Sequence, residues 1–290
     1  SRSLPAYEKA CRDLLDHLGT KAALPMDSIA ARDIVAFRGV LSERVSGATV
    51  NKELGILRGA WSAALRDGII RDNVFARVAR VKAERSNRRG FTVEEINRVL
   101  EFCDTEWRGM VLTALYTGQR LSDVAALTWR SIDLEKREIR IVTRKTSRPM
   151  TIPIAAPLYC ELLKAPSTDN PDAPAFPRAF ALLEANGGTN TLSRQFGEIM
   201  AKAGLAVRTP HRATKQGRNA RRESAGLSFH SLRHTSTSFL KNAGISDVVS
   251  REIIGHDSAA VSRIYTHIEP ETLRRAVAAM PDFAKQEVAK

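Results

Sequence analysis

At 290 residues, with 43% hydrophobic and 27% charged side chains, the chain is long enough for two packed cores and too mixed in composition for a disordered or collagen-like protein. Its 45 lysines and arginines against 32 acidic residues leave a formal charge of +13, which favours a polyanionic partner held through phosphate contacts and weakened by salt. No apolar run reaches membrane-spanning length and no signal-peptide pattern opens the chain; Cys11, Cys103 and Cys160 are odd in number and far apart, so they read as reduced thiols used mostly for packing and exclude a disulfide framework or a zinc site.

Residues 1–84 read as a helical unit. Tyr7, Cys11, Leu14, Leu15 and Leu18 form one apolar stripe; Ile29, Ile34, Val35 and Phe37 form a second segment with Asp33 near its start. Val50, Leu54, Leu57, Trp61 and Leu65 mark a third helix that Gly68 should close. Its other face carries Lys52, Arg58 and Arg66, either as a solvated surface or as one that tracks phosphates. Residues 85–91 form a polar linker whose Arg88 and Arg89 can follow a DNA backbone. Thr92 and Glu95 have the spacing of a capping box, and a second domain is expected over 92–290.

That domain opens with helical segments, one of them running through Met110–Leu115 to Gly118. Alternation at Ile132, Leu134, Ile139, Ile141, Met150, Ile152 and Ile154 then predicts a small antiparallel sheet of three strands. A helical pattern resumes near residue 189. Between 207 and 225, six basic residues (Arg208, Arg212, Lys215, Arg218, Arg221 and Arg222) face one acidic neighbour, Glu223. The stretch is either a solvated loop or a DNA contact that orders on binding. Beyond Ile268, Leu273, Val277, Ala278, Met280 and Phe283 offer apolar contacts and Pro281 interrupts a helix; this tail packs on its own domain or docks on a second copy. The predicted fold is therefore mainly α with a small antiparallel β-sheet, in two domains.

The chemistry-bearing residues are dispersed. Arg120 lies in T-G-Q-R, Lys145 in R-K-T-S-R, His230 and Arg233 in H-S-L-R-H, His256 in I-G-H, and Tyr265 in R-I-Y-T-H. Guanidinium forks stay charged and hold two phosphate oxygens at once. His230 and Arg233, at i and i+3, share a helical face, and imidazoles titrate where proton transfer is useful. A tyrosine hydroxyl, with a pKa of about 10, needs a cationic neighbourhood and a proton acceptor before it attacks phosphorus. Each motif alone is weak: an HxxR pair arises by chance, and a lone tyrosine reads as a packing residue. Nine residues after His256, Tyr265 reads as a nucleophile.

In this order the motifs resemble those of the tyrosine recombinases, the family of phage-type integrases and chromosome-dimer resolvases. The resemblance implies a helical core-binding domain and a mixed catalytic domain clamped around double-stranded DNA. It also implies a 3′-phosphotyrosyl intermediate on Tyr265, which preserves the ester bond without ATP. In that scheme Arg120, Arg233 and His256 hold the scissile phosphate, and His230 is the acid/base group. Lys145, at a hairpin tip, protonates the departing 5′ oxygen, with Arg144 and Arg148 as competitors for that role. Asp123 orients Arg120, and His234 is a structural hydrogen-bonding residue pointing away from the site. No P-loop, carboxylate cluster or His/Cys set has metal spacing, so neither metal nor cofactor is expected. The implied partners are paired recombination sites, a homo-tetramer joined through the C-terminal tail, and an accessory directionality factor, in the cytoplasm of a bacterium and in the service of a mobile element. A type IB topoisomerase uses the same residue types without synapsis, and a non-catalytic DNA-binding regulator on the same fold is the alternative from another class.

Overall fold

The computed structural model describes residues 4–83, 89–144, 147–165, 168–205, 226–255 and 270–282. The chain divides into two compact units, the first before residue 87 and the second carrying the bulk of the remainder.

The first unit is a helical cluster of α1 (Leu4–Leu18), α2 (Ala31–Arg44) and α3 (Gly47–Arg66). The carboxylate of Asp33 accepts the Ala30 backbone N–H at 3.0 Å to start α2, and the Ser46 hydroxyl accepts from Thr49 N at the start of α3. Ile34, Phe37 and Leu41 meet Val50, Leu54, Leu57 and Trp61 in the core. Gly68, at φ +70°, follows α3 as expected. The expected α1 stripe is corrected: Ala10, Leu14 and Leu18 are buried, whereas Tyr7, Cys11 and Leu15 are exposed. Two four-residue rows run side by side on this helix, and only the row facing α2 and α3 finds neighbours. Val35 and Leu65 are exposed for the same reason, each one position from a buried residue.

The second unit is built around α5 (Thr105–Thr117), whose Met110, Val111, Leu112, Ala114, Leu115 and Tyr116 are all sealed from solvent. A helix apolar on every side needs cover on every side. Among the described residues α5 packs chiefly against α10 (Phe229–Asn242) and α7 (Ala156–Leu162), and α4 (Val93–Glu101), α8 (Pro177–Ala185) and α9 (Asn190–Lys202) contribute to the same core. The short α6 (Leu121–Ala125) follows α5 directly. The helices over 156–162 and 177–185 had no expectation attached to them.

The sheet has order β1 (Ile132–Asp133), β2 (Glu138–Val142), β3 (Pro149–Pro153), antiparallel throughout. Register pairs Ile139 with Ile152 and Ile141 with Met150. These four side chains face the core, as the period of two requires. Leu134 and Ile154 lie just beyond the strands. The chain then forms α11 (Asp247–Ile254) and α12 (Pro270–Ala278). The tail as far as Asp282 packs on its own unit: Ala276, Val277 and Met280 join the core, and the Tyr116 hydroxyl donates to Pro281 O at 2.6 Å. Phe283 lies outside the described residues. The thiols correct another expectation, because only Cys103 is partly buried, where burial pushes its pKa up to about 12, while Cys11 and Cys160 are exposed.

The second unit begins on a local electrostatic lock. Glu95 N donates to Thr92 Oγ1 at 3.2 Å, Thr92 N donates back to the Glu95 carboxylate at 3.0 Å, and both Nη atoms of Arg89 reach that carboxylate at 2.6 Å. The Arg89 hydrogen bonds, aided by the Thr92 backbone, hold the Glu95 carboxyl below its ordinary range. A carboxyl whose pKa is depressed by folding contributes stability above its unfolded pKa and loses it as pH falls through the folded value. Arg89 is half exposed, so solvent screening limits this contribution to about 1 kcal/mol. Thermal melts of wild type and Glu95→Gln should differ by that amount at pH 7 and draw together as the pH falls through the depressed Glu95 value; a gap that does not narrow on acidification would assign the effect to packing instead of charge.

Candidate active site

The site forms where two helices end. Helix α5 stops at Gly118, at φ +66°, and α11 stops at Gly255, at φ +72°. The two ends abut so closely that a Cβ on Gly118 would sit 2.3 Å from Ile254 Cδ1, and one on Gly255 would sit 2.6 Å from Met150 Sδ of β3. Glycine therefore serves two needs at each position, the left-handed turn and the close approach. Two carboxyl termini also bring two negative dipole ends together, an arrangement that calls for a cation.

Arg233 supplies it. Carried on α10 and 2% exposed, its Nη1 donates to Gly118 O at 2.7 Å and its Nη2 to Gly255 O at 2.9 Å. One guanidinium thus ties together residues more than a hundred positions apart in the chain. Arg120 follows two residues after Gly118 and is the N-cap residue of α6. Its Nη1 lies 3.8 Å from Asp123 Oδ2, beyond hydrogen-bonding distance. Both atoms are buried without a hydrogen-bond partner among the described residues. A buried donor without an acceptor is costly to a fold, and an anionic oxygen delivered beside Arg120 would satisfy it.

Asp123 does more than face Arg120. Its Oδ1 accepts the backbone N–H of Arg144 at 2.9 Å, which anchors the β2–β3 hairpin to α6. Thr143 N to Arg148 O at 3.0 Å, Arg148 N to Thr143 Oγ1 at 3.2 Å and a left-handed Ser147 at φ +52° close that turn. The turn carries Lys145, which itself lies outside the described residues, as do Arg88, Arg208, Arg212, Lys215, Arg218, Arg221, Arg222, His256 and Tyr265. His230 is exposed on α10, one turn before Arg233.

Other site expectations need correction. His234 does not point away from His230: at i+4 it stands over the same face, the ring centroids 5.0 Å apart and nearly perpendicular. Arg58 is turned inward, its Nη2 donating to Phe75 O at 2.8 Å and Val78 O at 3.1 Å. It closes the 3₁₀ turn after α3, so it is not a free DNA-facing cation. Arg148 reaches Glu252 of α11 at 2.5 Å and Arg89 is held by Glu95. Arg144 lies 3.5 Å from Glu184 and remains exposed, as do Lys52 and Arg66. Among the described candidates, Lys52, Arg66, Arg89 and Arg144 are exposed, Arg89 and Arg144 each beside an acidic partner.

Sequence reasoning missed Gln119. It is 1% exposed, and its Nε2 donates to Thr117 O at 2.9 Å and approaches Ile254 O at 3.4 Å. Its place in T-G-Q-R marked it only as the residue before an arginine; its second partner lies 135 positions away.

The sequence profile of the phage integrase family matches residues 89–272. The tyrosine recombinase XerC of Pelotomaculum thermopropionicum is 26% identical over 287 residues, spanning 94% of this chain and 90% of its own. The tyrosine recombinase XerD of Mycobacterium tuberculosis is 23% identical, spanning 94% and 89%. Among solved structures, a lambda integrase dimer bound to a COC′ core site superposes with a TM-score of 0.67 at 20% identity, over 93% of each chain. A Tn1549 transposon integrase in complex with transposon right-end DNA gives the same TM-score and identity over 95% and 92%. At that identity the likeness is one of fold.

Proposed function

The chain belongs to the phage integrase family and is a tyrosine recombinase, and from that premise we propose that it cleaves and rejoins double-stranded DNA through a 3′-phosphotyrosyl bond on Tyr265. The observation that carries this reading is the Arg233 bridge to Gly118 and Gly255. It brings Arg233 to the helix end that carries Arg120, leaving an unsatisfied Arg120 donor beside it. Two guanidiniums at one junction suit a phosphodiester whose non-bridging oxygens gain charge during attack.

In this reading the Tyr265 oxygen bonds to phosphorus as the bond to the 5′ oxygen breaks. Lys145 gives that oxygen its proton, His230 serves as the acid/base group near the nucleophile, and His256 hydrogen-bonds the phosphate. The Asp123 bond to Arg144 sets where the Lys145 hairpin starts. The reverse step, attack by a 5′ hydroxyl from a partner strand, rejoins DNA with no external energy source. Exposed Lys52, Arg66 and Arg144 track phosphates, as do Arg88 and the basic residues Arg212, Lys215, Arg218, Arg221 and Arg222. The reaction runs in a tetramer on paired sites, joined through the C-terminal tail. It serves integration or excision of a mobile element in the bacterial cytoplasm, with direction set by an accessory factor.

Covalent adducts trapped under denaturing conditions test this reading. Wild type should yield adducts at a discrete repeated site, and Tyr265→Phe none. Equal recovery from both would remove Tyr265 from the mechanism. Adducts that religate within one duplex, with no requirement for a second site, would indicate a topoisomerase.

A further inference from the structure

We infer that Gln119 is a positioning residue, whose carboxamide clasps the ends of α5 and α11 and so sets the distance between Arg120 and the Gly255 turn. The inference rests on the recombinase reading for its effect on cleavage, while the clasp itself does not. Both acceptors are main-chain carbonyls, Thr117 O at 2.9 Å and Ile254 O at 3.4 Å. Only the NH₂ end of an amide can donate to two carbonyls, so chemistry fixes which way the side chain faces. Its Oε1 is then left buried with no hydrogen-bond partner among the described residues. Retaining an unpaired buried oxygen is unfavourable, and an apolar residue of the same size would avoid it. The amide therefore has a use that volume alone does not provide.

That use follows from where its partners lie. Thr117 is three residues before Arg120, and Ile254 immediately precedes the Gly255 whose carbonyl Arg233 holds. Arg233 bonds the outer carbonyls of the junction, Gly118 O and Gly255 O, and Gln119 bonds the pair just inside them. With one clasp the helix ends can pivot about the guanidinium; with two they are fixed in rotation as well as in distance. A phosphate clamp assembled from both ends needs that second constraint, since a small misplacement of a catalytic group costs orders of magnitude in rate.

The test uses the full chain with Gln119→Leu, and Gln119→Met as an unbranched second variant. In DNA-free protein, amide hydrogen exchange at Gly118 and Gly255 should speed by about tenfold, the factor that two ordinary hydrogen bonds carry, while amides of α4 stay as in wild type. On DNA, single-turnover cleavage should fall by about 10- to 100-fold with DNA affinity within about threefold, a split that a general loss of folding would not produce. Unchanged exchange at both glycines in both variants overturns the clasp. Faster exchange with wild-type cleavage overturns the positioning role. If wild type forms no adduct at all, the recombinase reading fails, and the exchange arm alone decides whether the clasp stands.

Discussion

Arg233→Lys is expected to reduce single-turnover DNA cleavage by about 10³-fold and to lower stability by about 2 kcal/mol, although charge is retained. The guanidinium spends one N–H on Gly118 O and one on Gly255 O, from two different nitrogens held in a plane. An ammonium has a single nitrogen at the end of a flexible stem and cannot span both carbonyls while facing a phosphate. The two helix ends would then hold uncompensated carbonyl dipoles at close range. Parallel measurements of cleavage and thermal unfolding separate the two duties. Lost cleavage with an unchanged melting temperature would mean that the carbonyl bonds contribute nothing to the fold. A lowered melting temperature with normal cleavage would make Arg233 a structural residue and remove it from the phosphate clamp.

Gly118→Ala is expected to destabilise the second unit by about 2–5 kcal/mol. The left-handed backbone at φ +66° costs a non-glycine residue about 1–2 kcal/mol. The new Cβ would stand 2.3 Å from Ile254 Cδ1, and overpacking of a filled core adds about 1–3 kcal/mol. Gly204 supplies the comparison within the same unit, because it is also left-handed, at φ +71°, yet a Cβ there meets nothing within 4 Å. Gly204→Ala should therefore show the backbone cost alone, about 1–2 kcal/mol. Removing the clashing methyl with Ile254→Val should recover part of the Gly118→Ala loss and none of the Gly204→Ala loss. Urea denaturation measures all four variants. Equal midpoints for Gly118→Ala and Gly204→Ala would show that Ile254 yields without cost and that the close approach is not a constraint.

Features encoded within a few residues were legible before any coordinates. The Thr92–Glu95 capping box, the Gly68 and Gly118 turns, the α3 stripe and the alternation of β2 and β3 all depend on neighbours one to four positions away. The failures share the opposite property. Which of two adjacent apolar rows on α1 is buried depends on where α2 and α3 pass. Arg58 reads as a surface cation until its length lets it reach the carbonyls of Phe75 and Val78. The edge-on contact of His234 with His230 is the exception, because i, i+4 spacing alone places both rings on one helical face. Helices α7 and α8 are short and lack a strong periodic signal.

The sequence by itself determined the family and the chemical inventory. Arg120, His230 and Arg233 sit in motifs whose residue types and order resemble that family's, and the +13 charge favours a polyanionic partner. Tertiary structure decided how the described part of that inventory becomes a site. The Arg233 bridge, the Asp123 bond to the Lys145 hairpin and the Gln119 clasp join residues 115, 21 and 135 positions apart. Each depends on a carbonyl or an amide of the main chain, which every residue possesses and no motif records. Their direction is set only when helix ends and strands are packed against one another, and packing is a property of the whole unit.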